Sequence, residues 1–123
     1  MGVKSRPTVL RSRTYKQPTG HGTLYITIGY KKRTKPFEVF IALDKAGSCE
    51  RAWAESLARI CSLALRTGAK SEDLIKELSN IQCEKQIWDN GHIVQSPADG
   101  VSRVLREFVS GQDLDWKRRD GSK

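Results

Sequence analysis

Between Gly47 and Gly68 the chain carries no proline and no interior glycine, and its large apolar residues recur at helical period. Trp53, Leu57, Ile60, Cys61 and Ala64 follow one another at spacings of four, three, one and three, which draws a single apolar stripe. Ser48 is placed to act as N-cap, Glu50 lies in the first turn where the helix dipole favours an acid, and Arg66 lies in the last. Gly68 offers the left-handed conformation that ends a helix at little cost. Glu55 and Arg59 stand four apart on the wet side and add a few tenths of a kcal/mol. At about 1.5 Å per residue the helix is roughly 27 Å long, enough to cross a small domain. A stripe of this length needs a partner surface, so it organises the remaining elements.

That surface is predicted upstream. Residues 23 to 30 alternate Leu24, Ile26, Ile28 and Tyr30 with Thr23, Tyr25 and Thr27, a half-buried strand. Residues 37 to 43 return with Phe37, Val39, Ile41 and Leu43 inward and Glu38, Phe40 and Ala42 outward. Lys31, Lys32, Arg33, Thr34 and Lys35 form the charged hairpin loop between them, closed by Pro36. Residues 7 to 16 read as an edge strand blunted by its bases, and residues 18 to 22 as a turn. The expected architecture is α+β, a small antiparallel sheet of two to three strands with the long helix as its cover. Two shorter helices follow. Ser71, Glu72 and Asp73 cap one that buries Leu74, Leu78 and Ile81; Ser96 and Pro97 start another that buries Val101, Val104, Leu105 and Phe108. Residues 82 to 95 are irregular, with Asp89-Asn90-Gly91 as a turn signal.

At 123 residues one domain is expected, spanning residues 7 to 109 between a disordered basic start (1 to 6) and a disordered polar tail (110 to 123). A domain of this size buries a modest core, and association into a homodimer or higher homo-oligomer would help it. No apolar run reaches the roughly 20 residues of a membrane span, and three cysteines form no disulfide framework. The expectation is a cytoplasmic protein without a membrane partner.

Charge is distributed unevenly. Residues 1 to 37 hold nine Lys or Arg and no acid, while residues 38 to 123 hold thirteen bases against fourteen acids. The net charge of +8 therefore belongs to the first third, which points to a polyanionic partner such as a nucleotide or nucleic acid. Candidate phosphate ligands are Arg51, Arg59 and Arg66 on the long helix, Arg103 and Arg106 on the last, and Lys31, Lys32 and Arg33 in the hairpin loop. Tyr25, Phe40 and Trp88 are candidate stacking platforms for a base. No Gly-x-Ser-x-Gly, His-Glu-x-x-His or phosphate-loop pattern occurs, so no catalytic constellation is expected.

Four turns carry further signals: Gly20-His21-Gly22, Gly47-Ser48-Cys49, Ile81-Gln82-Cys83 and Gln95-Ser96-Pro97. With the strands from Gly20 to Ile28 and from Lys35 to Ile41, the segment from Ser62 to Gly68 and Trp88-Asp89-Asn90-Gly91, their order resembles TSCPD domains. The resemblance runs from about Arg6 to Leu105. Such domains occur at the C-terminus of adenosylcobalamin-dependent ribonucleotide reductases and as short stand-alone proteins. Members commonly carry cysteines in four such loops, which implies a zinc site. Here Cys49 and Cys83 are kept, His21 stands where the first cysteine is usual, and Ser96 or Pro97 replaces the last. Structural zinc takes four protein ligands. The expectation stays divided between zinc held by His21, Cys49 and Cys83 and loops that retain only packing and hydrogen bonding.

The resemblance does not carry reductase activity, because the catalytic barrel, its radical cysteines and a cobalamin site are missing. The expected function is a non-enzymatic basic module that binds a phosphorylated nucleotide, in one form a phage-type protein sequestering a host signalling nucleotide. Two alternatives come from other classes. One is nucleic-acid binding through the basic N-terminal third. The other is protein interaction, as a ribonucleotide reductase accessory subunit or an inhibitor of a host protein.

Overall fold

The computed structural model describes residues 2–44 and 49–111. The alternation in the N-terminal third produces β1 (Arg11–Thr19), β2 (Gly22–Lys32) and β3 (Lys35–Leu43), an antiparallel sheet in the order β1-β2-β3. Tyr15 stands opposite Ile26, which stands opposite Ile41; Gln17, Leu24 and Leu43 form the next row. The period of two then puts Tyr15, Leu24, Ile26, Ile28, Val39 and Leu43 in one buried layer.

The first strand starts and ends later than residues 7 to 16, and it runs through Pro18. Pro18 is tolerated because β1 lies at the sheet edge, where a missing N–H need break no ladder bond. The β2–β3 loop is also shorter than expected, since β2 continues through Lys31 and Lys32 and leaves a tight turn at Arg33 and Thr34.

Beyond the sheet come α1 (Cys49–Arg66), α2 (Ser71–Leu78), the short hairpin β4 (Ile87–Asp89) with β5 (His92–Val94), and α3 (Pro97–Ser110). The cover of the sheet is α3, not the long helix. Val101, Val104, Leu105 and Phe108 are buried against the strands, and the Phe108 ring meets Tyr30 at 5.4 Å between centroids. Ser96 caps α3 by accepting from the Asp99 N–H at 3.1 Å, and Gly111 ends it in the left-handed region. Ile75 and Leu78 of α2 belong to the same core. Ser71 is the first helical residue of α2 rather than its cap, and Ile81 falls beyond its end, half exposed.

The long helix forms as expected but lies along β3 at the side of the sheet. Trp53 and Ile60, taken from the spacing as core, are 73% and 62% exposed, while Ala58 and Cys61 are buried. The reason is proximity. β3 is an edge strand, and the Val39 N–H donates to Ser62 Oγ at 2.8 Å while the Ser62 hydroxyl donates back to the Val39 carbonyl at 2.9 Å. Only a face of small side chains (Ala54, Ala58, Ser62) lets a helix axis come that close, so Trp53 and Ile60 turn outward, while Leu57 and Cys61 of the expected stripe still pack against the core. The helix closes an open edge that would otherwise invite another strand. Burial pushes the Cys61 thiol up to about 11 and also raises Tyr15, whose shift Arg13 and Arg33 oppose.

The N-cap expected at Ser48 and, of the expected polar tail, residues 112 to 123 lie outside the described residues. Among those described, no helix is long and apolar enough to cross a membrane.

Candidate functional site

With α3 over the sheet and α1 beside it, the core face is left partly uncovered. Leu24, Ile41 and Leu43 floor a cleft of about 580 Å³ between α1 on one side and α2, Ile81 and the start of α3 on the other. This lies within the roughly 300–1,000 Å³ range of small-molecule sites. Three of its polar groups meet at one corner, His21 from the β1–β2 turn, Glu50 from the first turn of α1 and Cys83 from the segment before β4, and Gln82 and Ser96 also line it.

The corner is built from local chemistry. Thr19 Oγ1 accepts from the His21 N–H at 3.1 Å and donates to the Gly22 carbonyl at 2.7 Å, which sets the turn. Gly20 is required because a Cβ there would lie 2.1 Å from the Lys85 carbonyl oxygen, so only glycine lets residues 83 to 85 close onto the turn. The Cys83 N–H donates to Gln95 O at 2.9 Å and ties this segment to the end of β5. As a result Cys83 Sγ lies 3.5 Å from His21 Nε2, while His21 Nδ1 bonds Glu50 Oε2.

For the zinc expectation this is a partial convergence. His21 and Cys83 meet, yet among the described residues no group of three or more His, Cys, Asp or Glu could hold a metal ion. Cys49 is exposed on α1 and does not complete a set. Two donors with the second ring nitrogen taken by Glu50 do not supply the closed four-ligand shell of structural zinc.

The second locus lies at the opposite end of the sheet. Lys4, Lys31, Lys32 and Lys35 surround a hollow of about 220 Å³ floored by Pro36, Phe37 and Leu65, with no carboxylate in its lining. The N-terminal segment is held there by the Lys4 N–H donating to Arg66 O at 3.0 Å and by Arg66 donating to the Lys4 carbonyl at 3.0 and 3.1 Å. Lys31 Nζ lies 4.7 Å and the Arg66 guanidinium 5.6 Å from the Phe37 ring centroid. Arg6, further along this segment, grips the buried Glu38 with two bonds of 2.9 and 3.1 Å.

Of the expected phosphate ligands, Lys31, Lys32 and Arg66 reach this end. The others do not join them. Arg33 lies over the Phe108 ring at 4.9 Å and donates to the Phe108 carbonyl. Arg103 is bound to Asp89 at 3.2 Å, Arg106 donates to Ser79 Oγ at 3.0 Å, and Arg59 pairs with Glu55 on the exposed side of α1. Arg51 sits two residues into α1, at its far end. Lys4, Lys35 and Glu50 are not among the site residues expected from the sequence; Glu50 reads there as a helix-dipole acid and Lys35 as part of the charged hairpin loop.

Tyr25 and Phe40 occupy the uncovered face of the sheet as diagonal neighbours, since Tyr25 pairs with Ala42 and Thr27 with Phe40. Trp88 is 71% exposed on the separate β4–β5 hairpin and does not join them. That hairpin turns on Asn90 and Gly91, both at positive φ. Asp89 anchors it by accepting from Gln17 and Arg103 at 3.1 and 3.2 Å.

No curated protein and no solved structure matches the chain. A family model described as TSCPD domain matches residues 1–109 of the 123. The chain belongs to the TSCPD domain family.

Proposed function

We propose that this protein is a non-enzymatic binding module for a phosphorylated nucleotide, with the phosphates taken at the lysine hollow beside the β2–β3 turn. The observation that carries this reading is the lining itself: four lysines and no acid around one concavity. Ammonium groups are point-charge phosphate donors, and clustering several without a counter-charge costs self-repulsion that a bound anion relieves. The uneven charge of the chain supports the same conclusion, because the N-terminal third contributes every one of these lysines. In its most concrete form the module sequesters a signalling nucleotide of a host, as a phage-type protein would.

Isothermal titration calorimetry with linear and cyclic nucleotides, and with the matching nucleosides, tests the reading. Nucleotides bind, nucleosides do not, and the double substitution Lys32→Glu with Lys35→Glu removes the heat. Absence of binding below about 1 mM for every nucleotide would refute it.

A second reading has its own observation, the exposed Tyr25 and Phe40 on the bare sheet face, which suits stacking of single-stranded nucleic acid. It requires fluorescence anisotropy of a labelled oligonucleotide to fall steeply with salt and to be lost in the Tyr25→Ala, Phe40→Ala variant. Binding unaffected by that variant contradicts it.

A further inference from the structure

We propose that the protein pairs with a second copy of itself through α1, the two helices running antiparallel and meeting along Trp53, Ser56, Ile60 and Leu63. This stripe does not line the lysine hollow, so the pairing does not rest on the nucleotide reading.

The long helix is apolar on two opposite faces. Ala58 and Cys61 are buried against the domain, while Trp53, Ile60 and Leu63 are 73%, 62% and 50% exposed. At about 100° per residue the middle of the exposed stripe falls opposite Ala58 and Cys61, so it points straight away from the core. Its spacings of three, four and three are those of a seam between two helices, and the charged residues of α1 all fall to its sides. Its one polar member is already satisfied, because the Ser56 hydroxyl donates to the Ala52 carbonyl of its own helix at 2.9 Å. Covering this seam therefore strands no donor.

Three arguments make the cover a second copy. The first is fit. In the antiparallel register Trp53 meets the second copy's Leu63 and Ser56 meets the second copy's Ile60, so every layer sets a larger side chain against a smaller one, and a two-fold axis repeats each contact. The second is area. Trp53, Ile60 and Leu63 together open roughly 400 Å², as much as the largest apolar patch on an ordinary monomer. Two copies cover roughly 800 Å² by these residues alone, and Ala52, Ser56 and the Arg59 stem bring the total to about the 1,200 Å² at which specific interfaces begin. The third is charge. The lysine hollow sits at the C-terminal end of α1, where Leu65 lines it and the Arg66 carbonyl accepts from the Lys4 N–H. Antiparallel pairing sets the two hollows roughly 20 Å apart along the helices, beyond the screening length of about 8 Å; parallel pairing would bring them level. The Arg59–Glu55 pair beside the seam is neutral as a unit.

Sedimentation velocity or multi-angle light scattering on the full chain, from about 1 to 100 µM, reads the pairing. A dimer is expected in that range, since interfaces of this size bind at micromolar concentration or tighter. Ile60→Glu is expected to weaken it at least about thirtyfold, the effect of a central interface residue, while its circular dichroism stays that of the unmodified protein because Ile60 is outside the core. Trp53→Lys and Leu63→Glu each weaken it alone, and mixing the two variants restores a heterodimer, because position 53 of one copy meets position 63 of the other only in the antiparallel register. A chain that stays monomeric at about 100 µM overturns the proposal. So does a dimer that Ile60→Glu leaves intact, the result expected if Tyr25 and Phe40 on the bare sheet face made the contact. A mixture of Trp53→Lys and Leu63→Glu that regains no dimer overturns the antiparallel arrangement.

Discussion

Replacing Ser62 by alanine tests how the long helix is held to the sheet. The Ser62 hydroxyl is the partner of both the N–H and the carbonyl of Val39, at 2.8 and 2.9 Å, and Val39 is buried. Alanine fills nearly the same space, so packing changes little and the loss is two hydrogen bonds. A buried donor left without a partner costs about 1–3 kcal/mol, and a carbonyl with a second lone pair tolerates the loss better, so the sum is about 2 kcal/mol. For a domain of roughly 100 residues this lowers Tm by about 10 °C. Calorimetry or thermal circular dichroism measures it, and amide exchange at Val39 should accelerate in the same variant. Ser56→Ala is the control: that hydroxyl is exposed and donates only to the Ala52 carbonyl of its own helix, so its replacement stays within about 0.5 kcal/mol. A Ser62→Ala protein that melts within about 2 °C of the unmodified chain would refute the argument that this hydroxyl docks the helix.

Gly20→Ala should be strongly destabilising, because its Cβ would overlap the Lys85 carbonyl at 2.1 Å and backbone must move; a loss of about 1–3 kcal/mol is expected in urea unfolding. Asp89→Ala removes the carboxylate that Arg103 and Gln17 donate to, leaving them the backbone carbonyls of Asp89 and Pro18, and about 2 kcal/mol should be lost, read as a lower urea midpoint. Cys61 carries a pH dependence. Its folded pKa near 11 exceeds the ordinary value of 9, so the native state holds a proton that the unfolded chain gives up. The stability this contributes is fully present below pH 9 and is lost as pH rises towards 11, by up to about 3 kcal/mol, and Cys61→Ala should flatten the Tm profile across that window.

The elements were readable from local pattern. Alternation in residues 23 to 43, helical spacing after Cys49, and the Ser96-Pro97 start of the last helix each appear where expected. Leu24, Ile26, Val39, Val101, Leu105 and Phe108 are buried as their periodicity requires. Such patterns depend on neighbours a few residues away, and the chain states those directly. The basic character of the N-terminal third was equally legible, though Lys4 and Lys35 joined its hollow only through folding.

Which helix covers which surface was not legible. Trp53 and Ile60 make the larger apolar stripe on α1, yet the sheet edge selects Ala58 and Ser62, because what counts there is how closely two backbones can approach. The corner at the cleft is of the same kind: His21, Glu50 and Cys83 come from three segments separated by 29 and 33 positions, joined by a glycine that a carbonyl presses against. Composition and period therefore determined what the pieces are, since both are local properties of the chain. Tertiary packing alone decided which side chains share a site, since that depends on distances no local pattern encodes.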